Sequence, residues 1–368
     1  MELQVVSGAA IACRLFDIAD AVDLAKAEIL WSQLPRPAVT RGRLVSTPPK
    51  AVSFGVAPLD ISLEPVWLPL DGQPTHLEAS VRLYDFGVAR FSLRLVADQL
   101  SWSDFTARVI ALDRAVTSSE VWLPLLERLR ETFDQALVGP LRSSLEEDYL
   151  IAFVRAFDET PTAEALEERI DLIPLLSGET RALSDGARRD LLRQRFSYYT
   201  DDLVVLTWDR AFIYEPRGDS DVMDVLDVAN AQFLEMRYYD QLLDAELPRM
   251  YDLVEAMQRT RPLLSSRRFA DLARRLYGLV AEVTELREKV DNALQVTEDV
   301  YLARIYTAAL DLFRVAAVSA AVDRKLAIIR DTYDALYEEA SSRRAALMEA
   351  AIVALIVVEI VLALLHRG

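Results

Sequence analysis

A single cysteine, Cys13, excludes an intramolecular disulfide framework and fits a reducing compartment; it reads as a small buried residue of a strand. The two histidines, His76 in a proline-rich stretch and His366 at the extreme C-terminus, cannot form a dyad, a triad or a two-histidine metal site within one chain. Neither GxxxxGK[ST] nor GxGxxG occurs, which removes the usual glycine-rich phosphate cradles. The only lysines are Lys26, Lys50, Lys289 and Lys325, so the basic side is nearly all arginine, a bias we attribute to coding base composition. Basic residues are also outnumbered, 41 against 58 acidic, and a net charge of −17 disfavours a sequence-independent grip on nucleic acid. No catalytic residue, cofactor or metal site is expected, and no direct nucleic-acid partner.

Glycine and proline are scarce in one part of the chain only. Setting aside Gly278, Gly368, Pro248 and Pro262, nine of the 11 glycines and thirteen of the 15 prolines fall before residue 219. Such punctuation implies many short elements in residues 1–218 and a nearly all-helical remainder. Within the first part, Gly8–Asp17 reads as a strand and Ala19–Trp31 as a helix. A strand at Ala51–Val56 follows, then a hairpin over Leu77–Leu95 turning near Asp85–Gly87, then a helix from Ser103 to Leu137 broken at Pro124. A second round begins at Asp148, with a strand, a helix over Thr162–Leu176 and a hairpin turning near Trp208 and Asp209. Arg14, Phe16 and Asp17 match Arg155, Phe157 and Asp158 at one constant offset, which raises the alternative of a duplicated strand–helix–hairpin unit with pseudo-two-fold character. The expected fold class is α+β.

From Ser220 onward, apolar positions keep a 3-4 spacing over two stretches, Leu226 to Met257 and Phe269 to Val300, each longer than four heptads. The short link through Pro262 predicts an antiparallel coiled-coil hairpin. A third stretch (Val322, Leu326, Ile329, Tyr333, Leu336, Ala340) meets no breaker before the end, with a bend expected only around Ala316–Ala321. The expected organisation is therefore an α+β domain over 1–218, a coiled-coil hairpin and stalk over 219–344, and an anchor over 345–365.

The anchor is AALMEAAIVALIVVEIVLALL, residues 345–365, interrupted only by Glu349 and Glu359. As a helix it spans roughly 31 Å, close to the ~30 Å hydrocarbon core of a bilayer. The N-terminus, MELQVVSGAAIACRLFD, lacks the basic and long apolar regions of a signal peptide and the arginine-rich look of a transit peptide. Arg343 and Arg344 precede the run, and His366 and Arg367 follow it, a slight bias toward a cytoplasmic N-terminal side. The expectation is a tail-anchored single-pass membrane protein with its bulk in the cytoplasm.

Three features stand above this background. Asp240 occupies a seam position within Arg237-Tyr238-Tyr239-Asp240, where an unpaired buried charge would be costly; it is expected to pair with Arg287 or Thr284 and fix the register of the hairpin. Glu359 lies about 9 Å inside the hydrocarbon, where a carboxyl costs roughly 2.5–3.5 kcal/mol unless protonated or paired. It is either a contact to another helix or a neutral, snorkelling acid. Ala346, Ala350 and Ala354, spaced by four, would let anchor helices approach closely and favour a homo-oligomer. The acidic set Asp219, Asp221, Asp224 and Asp227 reads as helix N-terminal charge complementing the dipole.

Leu226–Val254, Val283–Leu310 and the stretch from Lys325 to Leu364 resemble the family named for being required for meiotic nuclear division, or sporulation. Glu349 and Glu359 match the two acidic positions of that family's anchor, and Tyr84–Gly87 with Phe91 resembles its YG-type hairpin. The resemblance implies a membrane-anchored protein without assigned enzymatic activity. Organellar members support organellar translation; without a transit peptide, this chain is expected to resemble a bacterial-type member in the plasma membrane. The leading expectation is a membrane-tethered, self-associating scaffold with an unidentified protein partner. The alternatives are an enzyme with a carboxylate site in the α+β body and an oligomeric membrane assembly using Glu359.

Overall fold

The computed structural model describes residues 2–34, 39–41, 52–141, 145–179, 181–218, 221–258, 294–296 and 300–365, with isolated residues between 271 and 288. The chain is mixed α+β and divides into two compact units, Met1–Tyr238 with Glu288–Ala316, and Tyr239–Arg287 with Ala317–Gly368.

The first unit begins with β1 (Gln4–Asp17), β2 (Ala19–Val22), α1 (Leu24–Ser32), β3 (Val39–Arg41), β4 (Val52–Phe54), β5 (Leu59–Ser62), β6 (Val66–Leu70), β7 (Gln73–Leu83), β8 (Val88–Val96) and β9 (Leu100–Ser101). It continues through α2 (Trp102–Val116), α3 (Leu123–Phe133), β10 (Leu137–Pro140), β11 (Glu146–Phe157), α4 (Ala163–Arg169), α5 (Ile173–Ser177), α6 (Asp185–Leu191), β12 (Gln194–Phe196), β13 (Leu203–Leu206) and β14 (Arg210–Tyr214). Then come α7 (Val222–Gln258), β15 (Leu294–Val296), α8 (Val300–Leu312) and α9 (Val315–Leu365); α7 and α9 extend into the second unit.

One sheet dominates, in the order β12-β13-β14-β11-β1-β8-β7-β5-β3. Its axis is the antiparallel pair β1 and β11, the opening strands of the two rounds seen in the sequence, with Ile11 opposite Ile151. Each round also places the second strand of its hairpin, β8 or β14, beside its opening strand. The pairing sense differs, however: β1–β8 is antiparallel and β11–β14 is parallel. The two rounds share strand order without sharing direction, so this sheet lacks a two-fold axis between them.

Residues alternate between two buried faces of the sheet. Ala10, Ala12, Phe16, Phe91, Leu93 and Phe212 join Trp102, Phe105, Leu112 and Leu129 of α2 and α3 in one core. Ile11, Cys13, Leu15, Ile151 and Ile213 are buried on the other face, where Tyr149 meets Phe313 and Phe313 meets Phe233 of α7. Residues 222–238 and 288–316 thus complete the first unit, which the sequence reading had closed at residue 218.

Several local expectations change. The helix read over Ala19–Trp31 opens as β2 and becomes helical only after Asp23, whose carboxylate caps α1 by accepting from the Lys26 backbone N–H. Thr162–Leu176 is two helices, the second restarting with Pro174 in its first turn, while Pro124 opens α3 in the same way. Residues 225–236 are buried on every face, which makes this part of α7 a core helix of the first unit rather than one side of a seam. Farther along, among the described side chains only Tyr239, Leu243 and Met250 stay buried. The second seam is interrupted by β15, which takes the free edge of β4, and most of its other positions, with the Pro262 link, lie outside the described residues. The break expected at 316–321 falls at Phe313–Arg314, where Arg314 takes φ 57°, and α9 then runs unbroken through the apolar stretch to Leu365.

Among the described residues no single helix is long and apolar enough to cross a membrane; α8 and the start of α9 qualify only together, as a bent pair. The apolar character of α8 serves the core, since Leu302, Ile305, Ala308 and Ala309 are buried. Within 345–365, the side chains of residues 347, 361 and 363–365 lie outside the described set.

Candidate functional site

The sheet face beneath α7 carries a cross-strand row of charge. Asp60 on β5 stands opposite Arg82 on β7, Arg82 opposite Arg90 on β8, Arg90 opposite Leu15 on β1, and Leu15 opposite Glu147 on β11. Two arginines directly across a ladder repel one another, so the arrangement needs counter-charge. Asp227, one turn into α7 and with a side chain only 5% exposed, grips Arg90 through both carboxylate oxygens, at 3.0 Å from Nε and 2.9 Å from Nη2. Arg82 holds Asp60 at 2.6 and 3.2 Å and also pairs with Asp224 and, at 3.4 Å, Asp227. Farther along α7, Arg237 pairs with Glu147 and lies 5.8 Å from the Phe233 ring. α7 therefore crosses the sheet with its acids over β7 and β8 and its arginine over β11.

A second polar row runs beside the first: Ser62, Ser80, Ser92, Cys13 and Tyr149 are successive cross-strand neighbours. The Ser80 and Ser92 hydroxyls are 2.7 Å apart, and the Tyr149 hydroxyl donates to the Thr207 and Arg210 carbonyls. Burial pushes the Cys13 thiol up to about 11, with Arg90 opposing, so it is protonated near neutrality and unsuited to nucleophilic attack. Tyr84 is likewise raised, by burial and then by Asp227, and its hydroxyl has no hydrogen-bond partner among the described residues.

One carboxyl titrates near neutrality. Asp17, at the end of β1 and 1% exposed, is raised to about 7 by burial first and by the negative charge of Asp20 second, against the pull of Arg130. Its Oδ2 lacks a hydrogen-bond partner among the described residues. It lines none of three concavities formed by described residues of the unit. These lie between β12 and α8 (about 450 Å³), between α1 and α3 (about 260 Å³) and at α6 (about 580 Å³), and each presents a single carboxylate, Asp311, Glu64 or Asp185. Among the described residues no group of three or more His, Cys, Asp or Glu side chains could hold a metal ion.

The residues singled out in the sequence fall as follows. Asp224 and Asp227 neutralise sheet arginines rather than simply complementing the helix dipole. The Asp221 backbone carbonyl accepts the Val225 N–H at the start of α7, and Asp219 lies outside the described residues. Asp240 is ion-paired, but with Lys325 of α9, whose Nζ is 2.7 Å from its carboxylate, 3.0 Å from its carbonyl and 2.6 Å from Asp244. Arg287 lies outside the described residues, and the Thr284 hydroxyl donates to the Val280 carbonyl. Ala346, Ala350, Ala354, Glu349 and Glu359 are exposed positions of α9. Arg82 and Arg90 were not anticipated.

Residues 7–221 match a protein-family model described as the N-terminal domain of the uncharacterized protein MJ0711. The uncharacterized protein MJ0711 of Methanocaldococcus jannaschii is 26% identical over 250 residues, covering 66% of this chain and 74% of that protein. No solved structure matches the chain.

Proposed function

The chain belongs to the MJ0711 N-terminal-domain family through residues 7–221; on the separate ground of its last helix, we propose that it is a membrane-tethered, non-enzymatic scaffold. In this reading the body is the interaction module, residues 345–365 are the tether, and the bulk of the chain lies on the cytoplasmic side. The observation that carries the proposal is the state of the last helix. Nine large apolar side chains between Met348 and Leu362 are 49–69% exposed, and the consecutive residues 348–360 are exposed on every side of the helix. Full burial of such a side chain is worth about 1.5–3 kcal/mol. Leaving nine of them half-wet would forfeit ~10 kcal/mol, comparable to the ~5–15 kcal/mol that holds a whole domain together. A bilayer removes that cost.

The non-enzymatic part of the reading rests on the sealed character of the buried polar groups. The arginines are saturated by carboxylates, Cys13 is protonated, and Asp17 is withdrawn from every concavity described. The second unit is read as a coiled-coil hairpin of 239–287 joined by α9, supported by the Asp240–Lys325–Asp244 bridge and by the burial of Val322 and Ile329 at seam spacing. Self-association through the anchor, and membership of the meiotic-nuclear-division type, belong to the same proposal; the latter resemblance concerns mainly residues beyond the MJ0711 match, with Tyr84–Gly87 and Phe91 inside it.

The test is membrane extraction at alkaline pH. The full chain is expected to stay with the membrane pellet. I356K/V357K, which puts two lysines at the middle of the run at roughly 2.5–3.5 kcal/mol each, is expected to move to the supernatant. A wild-type chain washed off the membrane overturns the tether.

A further inference from the structure

Among the described residues, a positive cluster that the fold does not explain lies at α6. Arg188, Arg189, Arg193 and Arg195 fall within eight residues and together line the open concavity of about 580 Å³ with Leu192 and Asp185. Two of the four are neutralised: Arg188 pairs with Asp171 at 3.2 Å and Arg195 with Glu167 at 3.3 Å. Arg189 and Arg193 are exposed and take part in no ion pair among the described residues. Arg189 lies in the last turn of α6 and Arg193 just beyond its C-cap, Leu192, and both line the same concavity. With 58 acids available in the chain, the lining sets the single carboxylate of Asp185 against these two guanidiniums outside any ion pair, a locally positive site on a negative body.

We propose that this arginine-lined concavity docks on the phosphate headgroups of an anionic lipid surface. The proposal rests on the tethered reading above, and magnitude decides for lipid over nucleic acid. Near an anionic bilayer each arginine contributes roughly a fivefold gain in association, so two give about thirtyfold. That is too little to capture a free polyanion against the repulsion of a body carrying −17. For a body held at the bilayer by its own chain it is enough, because a tether turns docking into an intramolecular step at an effective concentration in the ~mM range. Arginine's planar fork suits phosphate oxygens, and Leu192 adds an apolar side chain to the lining.

The experiment uses the full chain incorporated into phosphatidylcholine nanodiscs with and without phosphatidylglycerol, reading amide hydrogen exchange over 185–195. The expected result is severalfold slower exchange in the anionic discs, lost in high salt and lost in R189Q/R193Q, whose exposed side chains leave the fold intact. Equal exchange in both discs, with the chain incorporated, overturns the docking site and leaves the tether standing. Slowing that survives R189Q/R193Q overturns it too. Slowing by a short poly(U) in zwitterionic discs, without an effect of anionic lipid, overturns it in favour of nucleic acid. A chain that enters neither disc overturns the tether, and the docking proposal with it.

Discussion

At the scale of single residues, the sequence conceals its charged centre for a definite reason. In β8, Arg90, Ser92 and Arg94 alternate with Ala89, Phe91 and Leu93. That pattern describes a sheet with one apolar and one solvated face. Here the polar face is covered by α7, and what makes the covering tolerable is Asp227, which lies 137 residues from Arg90 and has no periodicity linking the two. Cys13, by contrast, is buried as its type and surroundings suggested. Asp17 carries a pH signature. Its carboxyl is raised from 3.8 to about 7, so the folded chain binds a proton more tightly than the unfolded chain does. The stability tied to this proton is fully present below about pH 4, declines as pH rises, and is gone above about pH 7. Asp17→Asn removes the titration. Its melting temperature is expected to match wild type near pH 3, below the unfolded value, and to exceed it increasingly from pH 5 to pH 8; thermal melts across this range check it, and a difference between the two proteins that is the same at pH 3 and pH 8 would contradict it.

At the scale of elements, the readings that came through were those resting on backbone chemistry. The turn read at Asp85–Gly87 connects β7 and β8 because Gly87 takes φ +102°, open to a residue without a Cβ. The same turn does more than reverse the chain: Ile18 N–H donates to the Gly87 carbonyl and Val22 N–H to the Asp85 carbonyl, clamping the segment that leads into α1. A Cβ on Gly87 would lie 1.8 Å from the Ala19 carbonyl oxygen. Gly87→Ala is therefore expected to cost ~3 kcal/mol or more, lowering the melting temperature by about 10 °C in a body of this size. An unchanged melting curve would show that the clamp yields without penalty. The elements misread were those whose state depends on distant partners. Ala19–Val22 has helical neighbours in sequence, yet it is a strand because β10 lies beside it. Leu226–Met236 obeys a heptad, but a heptad cannot register that the remaining faces are buried as well.

For the whole molecule, the match to residues 7–221 covers less than the structure that must form together. The central pair joins Ile11 to Ile151 across 140 residues, so the sheet closes only when both rounds are present. Even then a chain stopping at 221 lacks α7 and α8, and the face bearing Ile11, Cys13, Ile151 and Ile213 opens to water along with Arg82 and Arg90, now without Asp224 and Asp227. The sequence boundary at 218 follows the change in glycine and proline density, which records where short elements end and not where burial ends. Residues 1–221 expressed alone are therefore expected to aggregate or to remain loosely packed, with strand signal in far-ultraviolet circular dichroism but no cooperative melt. The chain ending at Ala316 retains both helical coverings of the sheet, and it is expected to melt cooperatively and elute as a compact species. If residues 1–221 melt as cooperatively as 1–316, then α7 is an attachment to a finished domain, and the Asp227–Arg90 pair is a fastening between parts rather than the closing of one core.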